Sequence, residues 1–136
     1  MKRKWEQCPH GEAGTRWSSL YVTMNTKGYL SLSRFTFEKM GEPETALLLY
    51  DRANNTIGIL PASRLTRDAF PVSRKSDRGG RVIYALRLLQ EFGIKITHSI
   101  RFMHPEFDED GILMLDLNDT RPAQKGRNGL ARVEDL

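Results

Sequence analysis

The chain has 136 residues, a mass of 15.6 kDa and a formal net charge of +4, with 39% hydrophobic and 28% charged residues. This length favours one domain with its own core and argues against disorder throughout. The longest apolar run, Ala46–Tyr50, is far shorter than the about 20 residues of a membrane-spanning helix, so no membrane partner is expected. A single cysteine, Cys8, excludes an internal disulfide framework and predicts a reducing, cytoplasmic setting.

Charge is distributed unevenly along the chain. Residues 63–101 carry nine basic and three acidic side chains, whereas residues 102–120 carry six acidic side chains and no lysine or arginine. A basic stretch attracts phosphate groups, and an acidic one repels them. The pattern therefore indicates either a polyanionic partner or a solvated surface in which the charges pair internally.

In the first third of the chain, the patterns predict two short strands and a helix. Residues Leu20–Asn25 alternate apolar and polar, which is typical of a strand, and Asn25–Gly28 has the composition of a turn. Tyr29–Leu32 continues as a second strand. Ser33 is a favourable N-cap for a short helix over Arg34–Met40, because its hydroxyl can accept a backbone N–H of the first turn.

Two further strands follow. Thr45–Tyr50 is almost entirely apolar, which predicts a strand buried on both faces. A polar loop at Asp51–Asn55 leads to a returning strand at Thr56–Leu60. Residues 20–60 are thus predicted to form a β-β-α-β-β unit.

The second half is predicted to contain one helix and a β-hairpin. Residues 63–80 have the composition of an exposed basic loop, with Ala69–Val72 as a candidate for a brief strand. Arg81–Phe92 carries an apolar stripe at helical spacing. Lys95–Met103 and Gly111–Leu117 are strand-like and flank an acidic loop, and residues 118–136 lack periodicity and are expected to be a flexible tail.

The predicted organisation is one mostly antiparallel α+β domain over residues 20–117, preceded by a polar arm at 1–19. Phe37–Leu60 and Leu89–Leu115 both run from a helix end through glycine to two strands. Either a duplication or chance explains this, since a helix followed by a hairpin is common.

One group of residues carries a family resemblance: the turn glycine Gly28, the strand Tyr29–Leu32, the helix start at Ser33, the apolar strand Ala46–Tyr50 and the closing segment Ile57–Ala62. With these features, residues 20–62 resemble the swapped-hairpin domain of the AbrB/MazE/SpoVT superfamily of bacterial transcription factors and antitoxins. The resemblance implies an intertwined homodimer whose first hairpin and adjoining helix face duplex DNA. It thereby implies a non-enzymatic DNA-binding regulator or antitoxin-like protein of bacterial or phage type.

A homodimer is also expected from the apolar strands. Ala46–Tyr50 and Ile112–Leu115 are difficult to cover with two short helices of one chain. Tyr29, Phe37 and Glu38 stand where basic residues are usual in the similar family. These departures favour the alternative, a protein-interaction or assembly module that does not bind DNA.

The residues expected to contact DNA phosphates are basic side chains from two segments. The first segment is the hairpin turn and short helix that face DNA in the similar family. The second leads into the predicted helix at Arg81, whose N-terminal N–H groups would also favour phosphate. The set is Lys27, Arg34, Lys39, Arg74, Lys75, Arg78 and Arg81.

No catalytic residue, metal or cofactor is expected. Cys8 and His10 are separated by one residue, which is not a standard zinc-ligand spacing. Glu106 and the adjacent acids Asp108–Asp110 diverge rather than alternate as in a calcium loop, so a solvated loop is expected. Gly79–Gly80 lacks a Walker or dinucleotide fingerprint, so it indicates at most a phosphate contact.

Overall fold

The computed structural model describes residues 3–6 and 19–123. Between residues 19 and 123 the chain forms eleven strands and two short helices. The strands are β1 (Val22–Met24), β2 (Tyr29–Leu32), β3 (Thr45–Asp51), β4 (Thr56–Ala62), β5 (Phe70–Pro71), β6 (Ser73–Arg74), β7 (Arg81–Tyr84), β8 (Ile100–Phe102), β9 (Glu106–Phe107), β10 (Leu113–Asp116) and β11 (Thr120–Pro122). The helices are α1 (Arg34–Lys39) and α2 (Leu86–Phe92). Neither helix has the length and apolar character needed to cross a membrane, within the part of the chain described.

The strands form two sheets. Sheet A has the order β11-β8-β1-β2-β7-β6, and sheet B has the order β5-β3-β4-β10-β9. Every strand pair between residues 19 and 123 is antiparallel. The protein therefore belongs to the predicted α+β, antiparallel class.

Both sheets and both helices contribute to one hydrophobic core. Sheet A supplies Val22, Met24, Leu30, Leu32, Ile83, Ile100 and Phe102. Sheet B supplies Ala46, Ile57, Ile59, Leu113 and Leu115, and the helical segments supply Met40, Ala85, Leu88 and Leu89. Because side chains alternate between the two faces of a strand, burying these residues fixes which residues face outward.

The elements expected for residues 20–60 are present, with β4 extending through Pro61 to Ala62. The prediction that Ser33 caps the helix is confirmed, since the Ser33 hydroxyl accepts a hydrogen bond from the Thr36 backbone N–H at 3.2 Å. The prediction that the third strand is buried on both faces is wrong, because the Leu49 side chain is 38% exposed. One face of β3 covers the core, and the other is partly accessible.

The predicted helix at Arg81–Phe92 is wrong over its first four residues. Arg81–Tyr84 forms β7 and pairs with β2, and the helix begins only at Leu86. Pairing aligns Ile83 with Leu30, and both are fully buried. Sheet pairing therefore overrides the helical pattern. Since Gly79–Gly80 precede a strand, the phosphate-binding helix N-terminus expected beside Arg78 and Arg81 does not exist.

The predicted hairpin in the second half is also wrong. Strand β8 lies in sheet A and pairs with β1 and β11, whereas β10 lies in sheet B and pairs with β4 and β9. The acidic loop between them contains β9, and the basic loop at 63–80 contains β5 and β6. The two similar segments therefore differ in strand pairing, because β3 and β4 pair with each other whereas β8 and β10 lie in different sheets.

The predicted flexible tail, residues 118–136, includes residues that belong to sheet A. Thr120–Pro122 forms β11 and pairs with β8, and the Ala123 backbone N–H donates to the Ser99 carbonyl at 2.9 Å. The rest of the predicted tail, residues 124–136, and most of the predicted arm, residues 1–2 and 7–18, lie outside the described residues.

Part of the apolar surface that motivated the homodimer prediction is covered within one chain. Ala46 of β3 and both Leu113 and Leu115 of β10 are fully buried within one chain, because sheet A packs over them. The other face of β3 is partly accessible, with Leu49 38% exposed, and a homodimer stays a prediction.

The turn between β1 and β2 is in direct backbone contact with the start of α2. Gly28 has a φ of +82°, and a Cβ placed on it would lie 2.8 Å from the Leu86 Cα. The Ala85 backbone N–H donates to the Gly28 carbonyl at 2.8 Å. Only glycine fits this close approach.

Thr36 joins α1 to the segment before β1. Its side chain is fully buried, and its Oγ1 accepts a hydrogen bond from the Tyr21 backbone N–H at 2.8 Å. We expect Thr36→Val to lower the free energy of unfolding by about 1–3 kcal/mol, because the Tyr21 N–H loses its acceptor. Chemical denaturation measures this change. Thr36→Ser keeps the hydroxyl, and equal losses for the two variants would contradict the explanation.

Strand β11 is expected to stabilise the fold although it follows the predicted end of the domain. A chain ending at Leu117 should melt below a chain ending at Ala123 by about 5 °C or more, because β8 and the buried Phe102 lose their neighbour. Circular dichroism melts of the two shortened chains and the full chain measure the difference. Identical melting temperatures would show that β11 contributes nothing to stability.

Candidate nucleic-acid interface

Opposite charges are segregated between the two sheets. The strands of sheet A contain no aspartate or glutamate and four arginines, namely Arg74, Arg81, Arg101 and Arg121. The strands of sheet B contain no lysine or arginine and three acids, namely Asp51, Glu106 and Asp116. On sheet B, the Asn54 side-chain amide donates to the Asp51 carboxylate at 2.7 Å and lowers the pKa of that carboxyl.

The structure brings three of the seven residues predicted to contact DNA into one depression. Arg34, Arg74 and Arg81 line an open depression of about 270 Å³ between α1 and the β6–β7 hairpin. The same depression is lined by three acids, Glu38, Glu42 and Asp77. Its formal charges therefore balance.

Two of the three arginines of the depression are engaged in contacts. The Arg81 guanidinium lies 4.2 Å from the centroid of the Phe37 ring and donates to the carbonyls of Gly79 at 2.9 Å and Gly80 at 3.2 Å. Arg34 forms an ion pair with Glu38, with Nε 2.9 Å from Oε2. The Arg81 contacts tie the β6–β7 loop to Phe37 of α1, whereas the Arg34 ion pair lies within α1.

The other four predicted residues do not line the depression. Lys27 is exposed in the turn between β1 and β2. Lys39 lies at the end of α1, with its Nζ 5.4 Å from the centroid of the Phe35 ring. Arg78 is exposed in the β6–β7 loop. Lys75 reaches across to β2, where its Nζ donates to the Ser31 hydroxyl at 3.1 Å.

Strand register creates a continuous row on the outward side of sheet A. Residues paired directly across an antiparallel ladder point to the same face. The pairs form a chain across all six strands, and its members in spatial order are Arg121, Arg101, Thr23, Ser31, Val82 and Ser73. We call this set the outward row. Ser31 is where Lys75 joins it.

Two tyrosines stand on the same face as the outward row. Tyr29 lies two residues from Ser31 on β2 and pairs directly with Tyr84 on β7. Their ring centroids are 4.8 Å apart, and the ring planes meet edge to face at 84°. Tyr29 is 37% exposed and Tyr84 is 53% exposed. The outward side of sheet A therefore combines arginines, hydroxyls and accessible aromatic rings.

The two arginines of the outward row are not neutralised by neighbouring acids. Between residues 19 and 123, neither Arg101 nor Arg121 forms an ion pair, whereas Arg34, Arg64 and Arg87 do. The Arg101 guanidinium lies 4.7 Å from the centroid of the Tyr21 ring. That contact holds the guanidinium against the sheet without cancelling its charge.

Sequence reasoning missed Arg101, Arg121 and Tyr84. The alternation of Ile100, Arg101 and Phe102 does contain a signal, because burying the outer two residues of this strand turns the middle one outward. Arg121 lies in the segment interpreted as tail, and Tyr84 in the segment interpreted as helix. For these two, no local signal identifies the sheet that they join.

The sequence offers two groups of residues that could be considered as metal ligands, the Cys8–His10 pair and the acidic loop at 106–110. Among the described residues, no group of three or more histidine, cysteine, aspartate or glutamate side chains could hold a metal ion. In the acidic loop, Asp108 accepts hydrogen bonds from the backbone N–H groups of Asp110 at 2.8 Å and Ile112 at 2.9 Å. This carboxylate shapes the turn between β9 and β10. Cys8 and His10 lie outside the described residues.

No family model, curated protein or solved structure matches this chain.

Proposed function

We propose that this protein is a non-enzymatic nucleic-acid-binding protein, and that it binds through the outward side of sheet A. In the setting that the AbrB/MazE/SpoVT resemblance implies, it would be a DNA-binding regulator or antitoxin-like protein. One observation carries the proposal: Arg101 and Arg121 lie side by side on the outward side of sheet A, and the strands of this sheet contain no acid.

The chemistry of the outward row suits a phosphate backbone. Unpaired arginines attract phosphates and displace their counterions. Hydroxyl side chains such as Thr23 and Ser31 are also common donors to phosphate oxygens. Because these groups come from different strands, the rigid ladder holds them at fixed spacing. Neighbouring strands are about 4.8 Å apart, so Arg121 and Thr23 are separated by about 10 Å.

The acids of sheet B favour binding of a nucleic acid to sheet A and not to sheet B. Asp51, Glu106 and Asp116 lie on strands of the other sheet, and the Asn54 contact keeps Asp51 ionised to lower pH. A polyanion is attracted by sheet A and repelled by sheet B. This polarity gives the molecule a defined binding side although its net charge is only +4.

The proposal is tested by fluorescence anisotropy of labelled oligonucleotides titrated with the full-length protein. We expect binding at about 50 mM salt that weakens steeply towards about 200 mM. Arg121→Ala should weaken binding to every sequence alike and flatten the slope of log K against log salt by about 0.9 for duplex DNA, because one phosphate contact is lost.

The matched control is Arg67→Ala. Arg67 is also exposed, but it lies between β4 and β5, beside sheet B. This variant should leave the affinity and the salt slope near those of the unaltered protein. Equal effects of the two substitutions would place the contact elsewhere, and absence of binding at low salt would overturn the proposal.

A second candidate function is a protein-interaction module that does not bind DNA. It is favoured by the exposed apolar patch of Tyr29, Tyr84 and Leu86, of which Leu86 is 47% exposed. Self-association through such a patch would make the melting temperature rise with protein concentration. Light scattering that gives 15.6 kDa at every concentration would exclude a homodimer.

A further inference from the structure

The tyrosine pair on sheet A is not required by the core. Leu30 follows Tyr29, Ile83 precedes Tyr84, and both of these apolar residues are fully buried. The two rings stand on the opposite side, and more than half of Tyr84 is accessible. Large aromatic side chains usually bury most of their area, so the exposure of more than half of Tyr84, in contact with Tyr29 on the adjacent strand, indicates a binding role.

We infer that the outward side of sheet A binds single-stranded nucleic acid, with unpaired bases stacking on Tyr84 and Tyr29 and the phosphates following the outward row. This inference rests on the proposed function and specifies its ligand. Charge complementarity identifies the occupant, since the outward side carries Arg101 and Arg121 and the strands of this sheet contain no acid.

The rings favour a single strand over a duplex. In a duplex the bases are paired and stacked on each other, so a ring at the surface of a sheet has no base face to contact. An unpaired base can lie on an exposed tyrosine, and this stacking tolerates any sequence because every base has a π-face. Phosphate contacts alone do not account for the exposed tyrosine pair.

The positions of the rings and charges match one continuous strand. Arg101 lies three strands from Tyr84, which corresponds to about 14 Å across the sheet. Arg121 lies one strand further. Between the two ends, the hydroxyls of Ser31 and Thr23 occupy the middle of the outward row. A backbone of several nucleotides can therefore contact the tyrosines at one end and the arginines at the other.

A lysine stands at the aromatic end of this path. Lys27 is exposed and precedes Tyr29 by two residues. Its turn is held against α2 by the Gly28 carbonyl, which accepts the Ala85 backbone N–H at 2.8 Å. Basic groups thus lie near the tyrosines as well as at the far end, and a phosphate on either side of a stacked base finds a cation.

The test compares a labelled single strand of about 16 nucleotides with a duplex of the same length, using anisotropy and the full-length protein. We expect the single strand to bind more tightly. Tyr84→Ala should weaken single-strand binding about 5- to 150-fold, because one base loses its stacking partner. Binding to the duplex should change little.

Two further measurements separate stacking from charge. Tyr84→Ala should leave the salt slope unchanged, since stacking releases no counterions, whereas Arg121→Ala should flatten the single-strand slope by about 0.7. Tyr84→Phe keeps the ring and should keep the affinity. Tyr84→Leu keeps apolar bulk on the strand without an aromatic face, and it should weaken single-strand binding as Tyr84→Ala does.

The outcomes distinguish this inference from the proposed function. If nucleic acid binds but Tyr84→Ala and Tyr84→Leu bind single strands as well as Tyr84→Phe does, the stacking inference is overturned and the proposed function stands. A duplex that binds more tightly than the single strand also overturns it. Absence of any binding at low salt overturns both. Melting temperatures of the variants show whether each one is folded.

Discussion

The packing of the inward face of sheet A on that of sheet B is the interaction on which the rest of the structure depends. Strand side chains alternate strictly, so burying one set of residues turns every neighbour outward. Leu30 and Ile83 enter the core, and Tyr29 and Tyr84 are thereby exposed. A slip of one residue would bury arginine side chains such as that of Arg101 in this core. The register that protects the core is thus the register that builds the candidate interface.

Strand pairing, and not proximity in sequence, decides which charges act together. The basic residues of the middle segment include Arg74 and Arg81, which turn towards α1 and share a depression with three acids. Arg101 directly precedes the acidic stretch 102–120, and Arg121 directly follows it. The two are nevertheless paired neighbours on β8 and β11. They remain without an ion pair between residues 19 and 123. This pair of arginines is therefore assembled from two strands separated in sequence by the acidic stretch.

The family resemblance and the surface chemistry indicate different binding surfaces. The resemblance implies contact through the first hairpin turn and α1. On α1, however, Arg34 is paired with Glu38, and the adjoining depression has balanced charge. The outward side of sheet A offers arginines without acids beside accessible rings. Lys27 belongs to both surfaces, because its turn adjoins Tyr29.

The sequence by itself determined the antiparallel α+β class, the elements over residues 20–60 and the Ser33 cap. These features depend on alternation, turn composition and hydrogen bonds within a few residues, which are local in the chain. It also contained the outward position of Arg101, through the alternation of its strand. Only the tertiary structure decided that Arg81–Tyr84 is a strand, that β11 follows the expected domain end and that β8 and β10 occupy different sheets. Each of these depends on hydrogen bonds to strands distant in sequence, and the free energy of that pairing and burial exceeds the local preference.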